Sequence, residues 1–149
     1  MNKFFIINTV LFLLILTIKN VEAKDLISFN KGKKLYEIEK YDEAKIFFEK
    51  DIVFNPKEYK SYLYLAKIFN KTDNDEAAEK NLNSVLLLNP NNDEAIYMLI
   101  ILKIAQSDYN GTKDLIDKFE LVCDKFCFKK KEVQLKFNKL IPNNEKNNN

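Results

Sequence analysis

Histidine, tryptophan and arginine are absent from the 149 residues. Without histidine the chain lacks the commonest general base and the commonest transition-metal ligand. Without arginine it lacks the planar fork that clamps phosphate or carboxylate with two hydrogen bonds. Glycine occurs only at Gly32 and Gly111, which excludes a glycine-rich phosphate loop. Ser28, Ser61, Ser84 and Ser107 have no histidine to activate them, so a Ser–His–Asp triad is excluded. An excess of either charge is missing as well. Lysines number 24 against 22 acidic residues, a formal net charge of +2, so no polyanion, nucleic acid included, is implied as partner. The carboxylates are scattered in a pattern that reads as solvated helix faces. These absences leave a carboxylate pair, which belongs in a concave cleft of a larger domain, as the one catalytic set still open, and imply neither metal nor cofactor; the expectation is a protein that is not an enzyme.

The chain opens with Lys3, the apolar stretch Phe4 to Ile18 and the polar stretch Lys19 to Ala23. Val21 and Ala23 set the small-residue spacing of a cleavage site. The apolar run is shorter than the ~20 residues a spanning helix needs. Residues 1–23 are therefore expected to be a signal peptide cut after Ala23, giving a periplasmic or secreted protein. An uncleaved segment would instead anchor the chain in the membrane.

Beyond that segment the sequence repeats at an offset of 34: Asn55-Pro56 returns as Asn89-Pro90, Ala44 as Ala78 and Leu65 as Leu99. Phe48 is matched by Leu82, Ile52 by Leu86, Phe54 by Leu88 and small Gly32 by small Ala66. Tyr41 reappears two periods later as Tyr109. Within each period two apolar patterns follow one another, each with the spacing of one helix face. The residue before proline is pushed out of helical geometry, so Asn55 and Asn89 end one pair of helices and begin the next.

This pattern resembles the tetratricopeptide repeat, a helix–turn–helix unit of the same length. Tyr62, Leu65-Ala66 and Phe69 match the first half of its motif. Tyr41-Asp42-Glu43-Ala44, Phe47-Phe48 and Pro56 match the second. The resemblance covers about residues 25 to 124 and thins toward the end. Asp51 stands where alanine is usual and Asp75 where an aromatic is. In the third unit Ile100 and Thr112 replace small residues and Asp124 replaces proline. The implied fold is all-α, a right-handed superhelical stack of about three hairpins. Val133, Phe137 and Leu140 recur at helical spacing and suit a capping helix over 128–141, since the end of such a stack must be covered. The repeat domain is thus expected over 24–141, and the Asn- and Lys-rich tail 142–149 is expected to be disordered.

In the family, the first helix of each hairpin lines the concave groove that takes a partner. By offset, that groove would comprise Phe29, Lys33 and Tyr36, then Leu63, Lys67, Asn70 and Lys71, then Tyr97 and Ile101. The partner implied is a peptide or helical segment, with an acidic one among those the lysines would admit. The function implied is that of a protein-interaction scaffold of the bacterial periplasm or cell envelope; the alternative is a self-associating, non-catalytic accessory subunit. Cys123 and Cys127 are the only cysteines. An even pair outside the cytoplasm favours a disulfide. On a continuous helix their Cβ directions fit poorly, so a disulfide here predicts a helix break near Asp124-Lys125.

Overall fold

The computed structural model describes residues 27–140, and every regular element in that range is helical. The expected signal peptide at 1–23 and the tail at 142–149 lie outside the described residues. Helix α1 runs over 27–37. It is followed by α2 (Tyr41–Phe54), α3 (Tyr59–Lys71), α4 (Asp75–Leu88), α5 (Asp93–Ala105) and α6 (Tyr109–Val122). A short 3₁₀ turn at Cys127–Lys129 leads into α7 (Lys130–Leu140). The chain divides into two compact units, one ending at Ser61 and the other starting at Tyr62.

The period is written into the backbone. Helices α2, α4 and α6 begin at Tyr41, Asp75 and Tyr109, each 34 residues after the last. The turns before them share one geometry. Glu39, Asp73 and Ser107 have φ of 60°, 53° and 58°, the left-handed region that costs a side-chain-bearing residue roughly 1–2 kcal/mol. That conformation closes the preceding helix. The N–H groups of Lys40, Asn74 and Asp108 donate to the carbonyls of Leu35, Phe69 and Lys103 at 2.9, 3.0 and 2.9 Å, which satisfies carbonyls the helix end leaves open. The same residues open the next helix. Asn74 and Asp108 accept from the N–H groups of Ala77 and Gly111, as N-caps do. Lys40 has no oxygen to offer and makes no such cap. At the other turn type, Asn55 and Asn89 each donate their N–H, at 2.7 Å, to the carbonyl four residues back.

In the first unit α1 lies close on α2. A methyl group at Gly32 would meet Cε1 of the fully buried Phe48 at 2.9 Å, and Phe29 packs on the same ring at 5.9 Å. Asp51 is also buried in this unit. Its carboxylate accepts from the hydroxyl of Ser61 at 2.5 Å and from the side-chain amide of Asn55 at 3.1 Å. A buried carboxylate is tolerated when its lone pairs are met in this way.

In the second unit Ala78, Leu82 and Val85 of α4 are buried, as are Ile116 and Phe119 of α6. Ile100, too large for a close helix approach, is fully buried in a cluster with Ile96, Ile116, Phe119, Val133 and Phe137. Thr112, in the other small-residue position of this hairpin, is buried and donates its hydroxyl to the carbonyl of Asp108 at 2.6 Å. Helix α7 contributes Val133 and Phe137 to that cluster, and Tyr109 stacks on Phe137 at 5.2 Å.

Candidate functional site

The nine residues transferred from the repeat pattern fall in two places. Phe29, Lys33 and Tyr36 lie on α1 in the first unit. Phe29 leans on Phe48, Tyr36 packs on Tyr41 at 5.4 Å, and exposed Lys33 faces Glu37 at 3.8 Å. The other six lie in the second unit, on α3 and α5. Lys67 of α3 meets Glu94 of α5 at 2.7 Å and lies over the ring of Tyr64 at 5.0 Å. Both partners of this pair are about three-quarters shielded from water, and the bond links the two helices. Asn70 and Lys71 stand exposed at the end of α3, and Ile101 is half-buried on α5. Leu63 is buried and belongs to the core.

Tyr97 has become part of the C-terminal structure. Its ring meets Phe119 at 6.5 Å and Phe126 at 5.8 Å, and the ammonium of Lys129 sits over it at 5.3 Å. Its hydroxyl donates to Glu132 at 3.0 Å. Burial, and then the Glu132 carboxylate, push this phenol above its ordinary pKa. Glu132 in turn is held below the usual carboxylate range, first by its hydrogen bond from Lys129.

Cys123 and Cys127 are joined, with their Cα atoms 5.1 Å apart. Helix α6 stops at Val122, Cys123 is extended and the chain turns before the 3₁₀ segment. Asp93, the first residue of α5, reaches this turn from 31 residues away: its Oδ2 accepts the N–H of Asp124 at 2.8 Å and that of Phe126 at 2.7 Å. Burial alone would raise the Asp93 pKa, but the backbone N–H groups of Phe126, Asp124, Glu94 and Lys125 outweigh it and hold the carboxyl below its ordinary value. No spacing or motif in the sequence signals this clamp.

Among the described residues no group of three or more Cys, Asp or Glu side chains is placed to hold a metal ion, and no helix is long and apolar enough to cross a membrane. The second unit also carries a polar brace, with Lys103 meeting Glu79 at 2.6 Å and Gln106 donating to the same carboxylate at 3.1 Å. The hydrogen bond from Lys103 keeps Glu79 below the usual carboxylate range.

Paired helices with three turns in the same left-handed geometry, one period apart, lead to a comparison with solved structures. The first TPR domain of Spaghetti (RPAP3), bound to the HSP90 peptide SRMEEVD, superimposes with a TM-score of 0.68 at 19% identity, over 79% of this chain and 90% of that one. This is the fold of a tetratricopeptide-repeat domain. The TPR domain of Arabidopsis OM64 gives a TM-score of 0.71 at 18% identity, over 82% of this chain and 99% of that one. PcrH from Pseudomonas aeruginosa gives 0.68 at 12% identity, over 80% and 92%. No protein-family profile and no curated protein matches the sequence.

Proposed function

We propose that this is a non-enzymatic protein-interaction module of the periplasm or cell envelope, in which α3 and α5 hold a peptide or helical segment of a partner protein. The observation that carries the reading is the Lys67–Glu94 bond. It links these two helices and leaves Asn70 and Lys71 exposed and Ile101 half-buried on the same pair. Peptide capture is supported by the likeness to a TPR domain seen with the peptide SRMEEVD. The ligand favoured here is of mixed polarity. Lys67 already faces Glu94 and Lys33 faces Glu37, so an acidic segment would have to compete with a carboxylate at either place. An extracytoplasmic address rests on the N-terminal pattern and suits a paired Cys123–Cys127. N-terminal sequencing of protein from the native host should begin at Lys24.

The test is photo-crosslinking in the native host from a reactive residue placed at Asn70 or Ile101, with Asp117 on the exposed face of α6 as control. A discrete partner peptide joined at the first two positions and not at the third is the expected result. Equal labelling at all three, or none, overturns the reading.

Self-association is favoured by a different observation. Leu87 and Leu121, one period apart in the second unit, are 82% and 85% exposed, and Phe128 and Leu135 are exposed as well; these are side chains that a second copy would shield from water. Leu87→Ser with Leu121→Ser should convert an oligomer to a monomer in analytical ultracentrifugation; a parent protein that is monomeric at high concentration ends this second reading.

A further inference from the structure

The Cys123–Cys127 pair closes a five-residue loop, and two features hang on that loop. One is the clamp on Asp93, which needs the N–H groups of Asp124 and Phe126 to converge on one oxygen. The other is the position of Phe126, whose ring covers Tyr97 at 5.8 Å and stacks on Phe128 at 5.8 Å. In a continuous helix N–H groups point along the axis toward carbonyls and residues four apart lie about 6 Å from Cα to Cα. The 5.1 Å between Cys123 and Cys127, with Cys123 extended, holds the segment out of helical geometry. Nothing else in the stretch forces the break: Cys123-Asp124-Lys125-Phe126-Cys127 contains no proline or glycine.

We infer that the Cys123–Cys127 disulfide is a redox-sensitive latch, which in the oxidised state shapes the 123–127 loop around Asp93 and covers Tyr97 with Phe126, and on reduction releases both. The reductant is a dithiol. The bond between the two sulfurs breaks, each sulfur takes a proton, and the dithiol gives up two electrons and two protons as it closes its own disulfide. With the covalent link gone, the segment 123–127 is free to fray. The N–H groups of Asp124 and Phe126 then leave Asp93 and meet water, and Phe126 leaves the ring of Tyr97. The raised phenol of Tyr97 is consistent with the covered state. The cluster beneath is built on other residues: Ile96, Ile100, Ile116, Phe119, Val133 and Phe137 pack on one another, and Tyr97, Cys123 and Phe126 pack only against its edge. Whether α3 and α5 bind a peptide has no bearing on the latch.

The experiment is amide hydrogen exchange by NMR on the whole chain, oxidised and after dithiothreitol. In the oxidised protein the Asp124 and Phe126 amides should be protected. Reduction should speed their exchange at least ten-fold while the amides of Ile100 and Ile116 keep their rates. Cys123→Ser with Cys127→Ser should reproduce the reduced pattern without reductant. Asp93→Asn should accelerate the same two amides with the disulfide intact, because a neutral amide oxygen accepts from the two N–H groups more weakly than a carboxylate oxygen does. Unchanged rates at Asp124 and Phe126 after reduction overturn the latch, because the loop then holds its shape without the bond. So does loss of protection at Ile100 and Ile116, which would make the bond a staple of the whole fold.

Discussion

Exchanging Asp51 and Ser61 together for valine and alanine should leave stability within about 1 kcal/mol of the parent, although either change alone costs more. The exchange copies the next hairpin, where the residues one period on are Val85 and Ala95, both fully buried. Taken singly, Ser61→Ala strips the buried Asp51 carboxylate of its hydroxyl donor and leaves it Asn55 alone, a loss of about 1.5–3 kcal/mol for a bond to a charged group. Asp51→Val strands the Ser61 hydroxyl in a site without exposure, at about 1–3 kcal/mol. Asn55 loses its side-chain acceptor too, but it is only half-buried and can turn to water. The double change removes donor and acceptor at once, so neither penalty remains. The coupling between the two sites should therefore be about 3 kcal/mol. Urea unfolding followed by far-ultraviolet circular dichroism on all four proteins measures it, provided the slope with denaturant stays constant across the set. If the double variant loses the sum of the two single losses, the pair is not acting as a unit and the reasoning is wrong.

Lys40→Asn should stabilise α2 by about 1 kcal/mol, by supplying the side-chain cap that Asn74 and Asp108 give their helices; an unchanged urea midpoint would refute it. Gly32→Ala should cost about 1–3 kcal/mol despite alanine's better helix propensity, because its methyl would stand 2.9 Å from the Phe48 ring with no room behind it; a gain in melting temperature would show that the helices can part. For Asp93 the sign follows from a folded pKa held below its ordinary value: its contribution is complete above roughly pH 4, the unfolded value, and is lost as pH falls through the folded value. Asp93→Asn should thus lower the thermal midpoint at neutral pH by an amount that shrinks below pH 4, and a difference constant from pH 7 to pH 3 would contradict the clamp.

The hairpins were legible because their marks are side chains with one physical job each. Asn55-Pro56 and Asn89-Pro90 break helices by sterics, and Gly32, Ala44, Ala66 and Ala78 occur where bulk is excluded. The turns within the hairpins left no such trace. Their left-handed residues are Glu39, Asp73 and Ser107, which share no chemistry, so the backbone repeats where the sequence does not. The start of the C-terminal cap was hidden for the same reason. Tyr59, Asp93 and Cys127 are 34 apart and each opens a helical segment, so the cap keeps the register of a first helix; only the count, and no residue type, signals it. Of the transferred groove residues, Lys67, Asn70, Lys71 and Ile101 stand on neighbouring helices of the second unit. Tyr97 met a partner that spacing could not foresee, since Glu132 lies 35 residues away.

That register explains why the cysteines stand where they do. Cys123 and Asp124 occupy the places of Asn89 and Pro90, and the N–H of Cys123 makes the same bond to the carbonyl four residues back, at 2.9 Å. What the third junction lacks is proline's fixed φ and missing N–H, the two properties that forbid a helix from running on. Without them the α6 backbone has no local reason to stop at Val122. The bond from Cys123 to Cys127 supplies the first property by closing a loop that a helix cannot accommodate. Asp93 supplies the second, by giving the N–H groups of Asp124 and Phe126 a partner outside any helix. A turn that elsewhere is permanent because it is built into one residue is here divided between a reducible bond and a titratable group, and is therefore the one junction of the repeat that conditions can undo.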